Sequence, residues 1–242
     1  MYDLFKKYTV VSWGEFVRRV IRDDACIEET DKMLVRDFLG VHQSTPEGIG
    51  ITRVSGKKDK NGNRLGLFDE GELLWHSNEA GNLIFTPGVA LLAAENVIGS
   101  STGFLQTADY YESISEVFRS ELDEMVLLHR YTPGKLNPGL RDDLARTNMC
   151  PVDDAEIPIV IQSPGGIKGL HYPVNTVHGI RGMSKKDSDK VFEEINKHLF
   201  LDKYIFDHWY KNKGDLLLFD NSITLHRRFR ECSKPLVLSY ST

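Results

Sequence analysis

Short extended segments lie on both sides of two capped amphipathic stretches, and strand and helix never settle into regular alternation. Regular strand-helix repetition builds a parallel sheet covered on both faces. Strands grouped before and after isolated helices favour a β-core with helices packed outside it. The expected fold is mainly β with flanking helices. The 242 residues are enough to bury such a core without staples, and a single domain over residues 1–242 is expected.

The local signals divide that domain. Ser12-Trp13-Gly14-Glu15 has capping-box spacing ahead of Phe16, Val17, Val20 and Ile21, and a second short helix fits Asp31 to Leu39. Residues 1–48 therefore read as an N-terminal helical part. Pro46, Gly48 and Gly50 end it, and Ile51 to Val54 is extended. Lys57 to Arg64 carries Asn61-Gly62, an exposed turn signal. Leu83 to Val97 is apolar but broken by Pro87-Gly88, which predicts two buried strands. Ser115 caps a helix expected to reach about Leu128, with Val117, Phe118, Leu122 and Met125 inward.

Tyr131 to Glu156 is rich in proline, glycine and charge without periodicity, and reads as a lid or insertion. Ile157 to Ile161, the turn Pro164-Gly165-Gly166 and the return Gly169 to Tyr172 make a hairpin. Ser184 and Asp187 cap a helix with Val191, Ile195 and Leu199 on its inner face. Strands resume at Gly214 to Phe219 and Pro235 to Tyr240.

Several function classes are disfavoured. With 30 Lys and Arg against 35 Asp and Glu, the net charge of -5 argues against duplex nucleic acid, whose binding needs clustered cations. No apolar run approaches the roughly 18–20 residues of a membrane span. Met1 to Lys7 lacks the basic-then-apolar order of a signal peptide. Cys26, Cys150 and Cys232 are odd in number and widely spaced, which fits reduced thiols and a cytoplasmic location. Paired CxxC, HExxH, Walker, GxSxG and strand-linked GxGxxG motifs are missing. Ser163 to Gly169, though glycine-rich, fits a hairpin turn better than a phosphate cradle.

Eight histidines remain. His198 and His208 fall on or near helix surfaces, and His129 ends a helix where a cation suits the dipole, so these three read as structural. His171 and His178 flank a turn and read as packed. His76 and Asn78 differ: on a strand, alternation puts both on one side. His226 follows a buried strand and the turn Asp220-Asn221-Ser222. Two imidazoles and one oxygen donor would occupy one face of an octahedral iron, leaving other positions for a cosubstrate and dioxygen. On spacing alone, a hydrogen-bonded core role for either histidine is the better reading.

The surrounding residues change that balance. Glu72-Leu73-Leu74-Trp75-His76-Ser77-Asn78, Gly99-Ser100-Ser101-Thr102-Gly103-Phe104, Tyr111-Glu112-Ser113-Ile114-Ser115, Gly179-Ile180-Arg181-Gly182-Met183-Ser184, and Lys213-Gly214-Asp215-Leu216-Leu217-Leu218-Phe219-Asp220-Asn221-Ser222-Ile223-Thr224-Leu225-His226 follow one another in one order. From roughly Ile49 to the C-terminus the chain resembles the taurine dioxygenase (TauD/TfdA) family of iron(II)- and 2-oxoglutarate-dependent oxygenases. The resemblance implies a double-stranded β-helix (jelly roll, cupin-like) with flanking helices, and Fe(II) as the metal. It implies His76 and His226 as two metal ligands, and Thr102 as a holder of the distal carboxylate of 2-oxoglutarate. A basic partner for that carboxylate is expected after His226, where Arg227, Arg228, Arg230 and Lys234 crowd together. Family register puts Lys234 nearest, with Arg230 and Arg228 as alternates. Trp75 is expected in the core.

The departure from the family is Asn78, which stands where a carboxylate ligand is expected. An amide oxygen can bind a hard cation but brings no negative charge, so iron affinity should fall. Asn78 then either ligates the metal in a working oxygenase, or leaves a catalytically silent or altered-metal binding protein on the same fold, or admits another ligand. Halogenases of this superfamily use a small apolar residue there, and asparagine is bulky enough to obstruct a halide. Glu79 is a poor substitute, because neighbours on a strand point to opposite faces. The leading expectation is a dioxygenase that hydroxylates a small molecule while converting 2-oxoglutarate to succinate and carbon dioxide. His76, Asn78 and His226 are its catalytic metal set, and Thr102, Lys234, Arg230 and Arg228 its cosubstrate candidates. Dioxygen and a small-molecule substrate are its partners, with no nucleic acid or membrane, and a homo-oligomer is compatible with the family. A metal-dependent hydrolase or isomerase on a cupin-like barrel is the remaining alternative.

Overall fold

In a computed structural model of the chain, the residues described are 10–12, 44–45, 48–49, 51–55, 58–63, 73–78, 80, 88–95, 99–130, 155–163, 166–228 and 236–241. The strands of the first half are β1 (Val10–Ser12), β2 (Ser44–Thr45), β3 (Gly48–Ile49), β4 (Ile51–Ser55), β5 (Leu73–His76), β6 (Gly88–Glu95) and β7 (Ser101–Gln106). Helices α1 (Thr107–Ser113) and α2 (Glu116–Asp123) follow. Then come β8 (Val126–His129), β9 (Ala155–Pro158), β10 (Val160–Gln162), β11 (Lys168–Leu170), β12 (Val177–Ile180) and helix α3 (Lys185–Leu199). The chain returns to strands in β13 (Ile205–Trp209), β14 (Leu216–Asp220), β15 (Thr224–Arg228) and β16 (Leu236–Ser241).

Two antiparallel sheets form the core. One runs β1-β14-β6-β16-β4, the other β13-β7-β15-β5. β6 lies between β14 and β16, so its Val89-Ala90-Leu91-Leu92-Ala93-Ala94 is buried along its whole length and reads as an unbroken apolar run. The four-stranded sheet has two different faces. Trp75, Leu105 and Leu225 share one core with Tyr110, Leu122, Leu127, Ile195 and Leu199 on the helical side. Phe104 instead joins Val89, Leu91, Ala93, Leu217 and Phe219 of the opposing sheet. The Phe104 and Phe219 rings meet edge to face at 5.1 Å. That stack of sheet, sheet and helices is the jelly roll with flanking helices that the sequence implied.

The caps behave as their chemistry requires. Ser184 Oγ accepts from Asp187 N at 3.2 Å, starting α3, which buries Ile195 and Leu199 and packs Val191 against the same core. Ser115 Oγ accepts from Phe118 N at 3.2 Å. Helix α2 stops at Asp123, however, short of the expected Leu128. Val126 to His129 alternates partly and fully buried and pairs with β9 and β12, so sheet formation overrides helical continuation. Val117 is 72% exposed and not inward. The Asn61-Gly62 signal is an exposed turn, with Gly62 at φ 83° and its N–H on Asp59 O.

Other expectations shift. Val10 to Ser12 is a strand paired with β14, and the residues that Ser12 would cap lie outside the described residues. The helices expected beyond it, residues 83–87 of the Leu83 to Val97 segment, and residues 131–154 of the expected lid lie outside the described residues. Ala155 and Glu156 belong to β9, and Gly88 opens β6. The hairpin from Val160 to Leu170 forms in register Val160↔Leu170. His129 sits on β8 and His208 on β13, so neither is helical, whereas His198 is in the last turn of α3. Among the described residues no helix is long and apolar enough to cross a membrane.

Candidate metal centre

β5 and β15 lie side by side at the end of the four-stranded sheet, in register His226↔His76. Residues directly opposite in an antiparallel pair project from the same face. Their rings accordingly stand with centroids 4.1 Å apart and planes tilted by 45°. Residues 150 positions apart in sequence are thus brought together by one strand pairing. Beyond them the register slips, with Arg228 opposite Leu73, a bulge of the kind that re-aims side chains at sheet edges. Arg227 lays its guanidinium 4.4 Å over the Trp75 ring on the helical face, a cation–π contact that fastens β15 to β5 beside the histidines.

Both imidazoles are in the form a metal needs. His76 Nδ1 lies 2.6 Å from Leu74 O. A carbonyl can only accept, so Nδ1 carries the proton and the lone pair of the neutral ring is on Nε2. Burial pushes the His76 pKa down to about 4, partly opposed by that carbonyl and reinforced by the nearby charge of Arg228. Burial, and then the charged form of His76, hold His226 well below the usual range. His226 is 6% exposed and packs against Phe104 and Phe219, with centroids at 6.4 and 5.0 Å. Its buried Nδ1 has no hydrogen-bond partner. Two neutral imidazoles that touch, His76 partly buried and His226 buried with an orphaned nitrogen, fit a borderline divalent cation.

Asn78 lies two residues past the end of β5, and its backbone is held from the other side of the site. Asn78 N donates to Asn221 Oδ1 at 2.9 Å, and Asn221 Nδ2 donates to Asn78 O at 3.0 Å. Asn221 is 1% exposed, in the turn between β14 and β15. Among the described residues no three His, Cys, Asp or Glu side chains gather as a metal cluster, in keeping with asparagine where a carboxylate was expected.

Thr102 is on β7, two residues before Phe104, which pairs with His226. It therefore shares the face of the sheet with His226, and its hydroxyl lies 3.0 Å from Tyr210 Oη. Arg227↔Gly103 is the last pair of that ladder, so Arg228 comes next to Thr102 on the same face. The structure thus brings His76, His226, Thr102 and Arg228 to one face of one sheet, with the Asn78 backbone tied to its edge. Arg230, Lys234 and Glu79 lie outside the described residues. Asn221 and Tyr210 were not singled out from sequence. Asn221 stands inside the run that carried the resemblance, but its partner is 143 positions away and nothing local announces the contact.

His129 and His171 make a separate, wholly buried pair on the helical side, with centroids 5.5 Å apart. His129 Nδ1 is 3.0 Å from Thr176 Oγ1. Burial, then the nearby His171 and His178, push His129 down to about 3. Both are packed residues, as expected, though His129 is no helix-terminal cation.

No curated protein matches the chain. Among solved structures it is similar to AAD-2 in complex with Mn(II) and N-oxalylglycine, with a TM-score of 0.74 and 22% identity over 98% of this chain and 85% of that one. It is also similar to a taurine dioxygenase from Burkholderia xenovorans, at a TM-score of 0.66 and 16% identity over 97% and 75%. These likenesses establish the jelly-roll fold. The family model for taurine catabolism dioxygenase TauD, TfdA family matches residues 20–232, beginning well before Ile49, where the local resemblance starts. With that match over most of its length, the chain belongs to the TauD, TfdA family of dioxygenases.

Proposed function

We propose that this dioxygenase holds iron(II) between His76 and His226, with Asn78 as the third protein position, and hydroxylates a small molecule at the expense of dioxygen and 2-oxoglutarate. The observation that carries the proposal is the contact of the two imidazoles across one strand pairing. Bound iron supplies the dioxygen chemistry that couples oxidative decarboxylation of 2-oxoglutarate to hydroxylation.

The chain's own residues do the rest. Leu74 O fixes the His76 tautomer, and Phe104 and Phe219 wall His226 from water. Thr102 and Arg228, on the same face, supply a hydroxyl donor and a guanidinium that can bind a carboxylate bidentately. Of the three basic candidates, Arg228 has support from its position beside Thr102 and its field at His76.

The neutral Asn78 favours a second reading, a protein that binds the cosubstrate without turnover. Two incubations separate these readings. Aerobic incubation with iron(II), 2-oxoglutarate and a panel of small molecules should yield succinate. Anaerobic addition of iron(II) and 2-oxoglutarate should give a visible charge-transfer band. A band without succinate selects the binding protein, and neither signal rejects both readings.

A further inference from the structure

We infer that Asn221 is the positioning residue of this centre, its side-chain amide setting where Asn78 stands relative to the two histidines. The inference rests on the proposed role of Asn78. β5 ends at His76, so the ladder that holds the histidines does not extend to Asn78. Both backbone polar groups of Asn78 are instead taken by one side chain, which presents an acceptor to its N–H and a donor to its C=O. A primary amide is the side-chain group that copies a neighbouring strand in this way.

The turn that carries Asn221 is itself immobilised. Asp220 Oδ1 accepts from Ser222 N at 2.9 Å. Ile223 O accepts from both Thr107 Oγ1, at 2.7 Å, and Thr107 N, at 3.1 Å. Thr107 Oγ1 in turn accepts from Leu170 N at 3.0 Å. The same turn leads directly into β15 and His226. One buried loop therefore fixes the distal histidine through the chain and Asn78 through the amide. In a site whose third position contributes no charge, placement is what remains to hold the metal.

The test uses the full chain and the variants Asn221→Leu and Asn221→Asp. Leucine makes neither bond. Aspartate keeps the bond from Asn78 N–H but cannot donate to the carbonyl. Ile195→Val, on α3 in the core against the opposite face of the sheet from the histidines, controls for lost stability. Two readouts are taken: Mn(II) affinity from the free-ion paramagnetic resonance signal, and hydrogen exchange at the Asn78 amide without metal. Asn221→Leu should speed Asn78 exchange and weaken Mn(II) binding by roughly tenfold or more each. Asn221→Asp should fall between, and serves alone if the leucine variant does not fold. Ile195→Val should change neither readout. Faster Asn78 exchange with unchanged Mn(II) affinity, or unchanged exchange, overturns the positioning role alone. A wild type that binds no Mn(II) overturns the metal reading and this role with it.

Discussion

In the proposed centre, the charge of a single side chain sets how tightly a metal would bind. With two neutral histidines and an amide, a divalent metal gains no opposing charge from the three proposed positions. Asn78→Asp should strengthen Mn(II) binding by roughly tenfold or more, since a carboxylate within coordination reach adds several kcal/mol of attraction even when strongly screened. Unchanged affinity would mean that position 78 does not face the metal. His76→Ala and His226→Ala should each abolish binding at concentrations that saturate wild type, with the fold retained by circular dichroism. The histidine pair stood out in sequence through the surrounding runs that resemble the family, since HxN with a distant His on spacing alone fits packed residues as well. Arg228 was not separable from Arg230 and Lys234, because a cation's charge is legible in sequence but its neighbours are not.

Elements that obey local rules were the ones sequence revealed. Ser115 and Ser184 cap their helices because a hydroxyl next to an amphipathic run satisfies an orphan N–H wherever it occurs. Ser184→Ala should cost about 1 kcal/mol in denaturant unfolding. β7, β13 and β15 were not foreseen as strands. Their alternation is blurred because β7 is buried on both faces, β13 exposes the apolar Phe206 and Trp209, and β15 ends in two arginines. Helix α2 was overextended because Val126 to His129 continues an apolar pattern that only pairing with β9 and β12 claims for a sheet. The hairpin strand β11 also shapes the site. A Cβ on Gly169 would lie 2.8 Å from Ile223 Cβ and 2.9 Å from Thr107 Oγ1, both in the clamp beneath Asn221. Gly169→Ala should therefore destabilise by about 1–3 kcal/mol and weaken Mn(II) binding together. A stability loss with intact binding would show the clamp to be independent of the centre.

The molecule as a whole should be acid-labile through its buried histidines. His129 and His171, at about 3 and about 4, stay neutral in the fold, whereas an unfolded chain protonates them below the ordinary 6.5. The unfolded state thus binds more protons between those values, and stability falls as pH drops from 6.5 toward 4. The loss is on the order of 3 kcal/mol per histidine by pH 4. Urea unfolding across that range should show the slope, and His129→Leu should flatten it; an unchanged slope would clear His129. Mainly β architecture with flanking helices followed from how strands were grouped around helices, and the family from a few runs in fixed order. In the proposed centre, His76 and His226 hold one metal ion between them. A crystal grown with Mn(II) and N-oxalylglycine, measured for anomalous scattering, tests it most directly. One strong peak is expected within coordination distance of a ring nitrogen of each histidine. A peak elsewhere, or none between those rings, would contradict it.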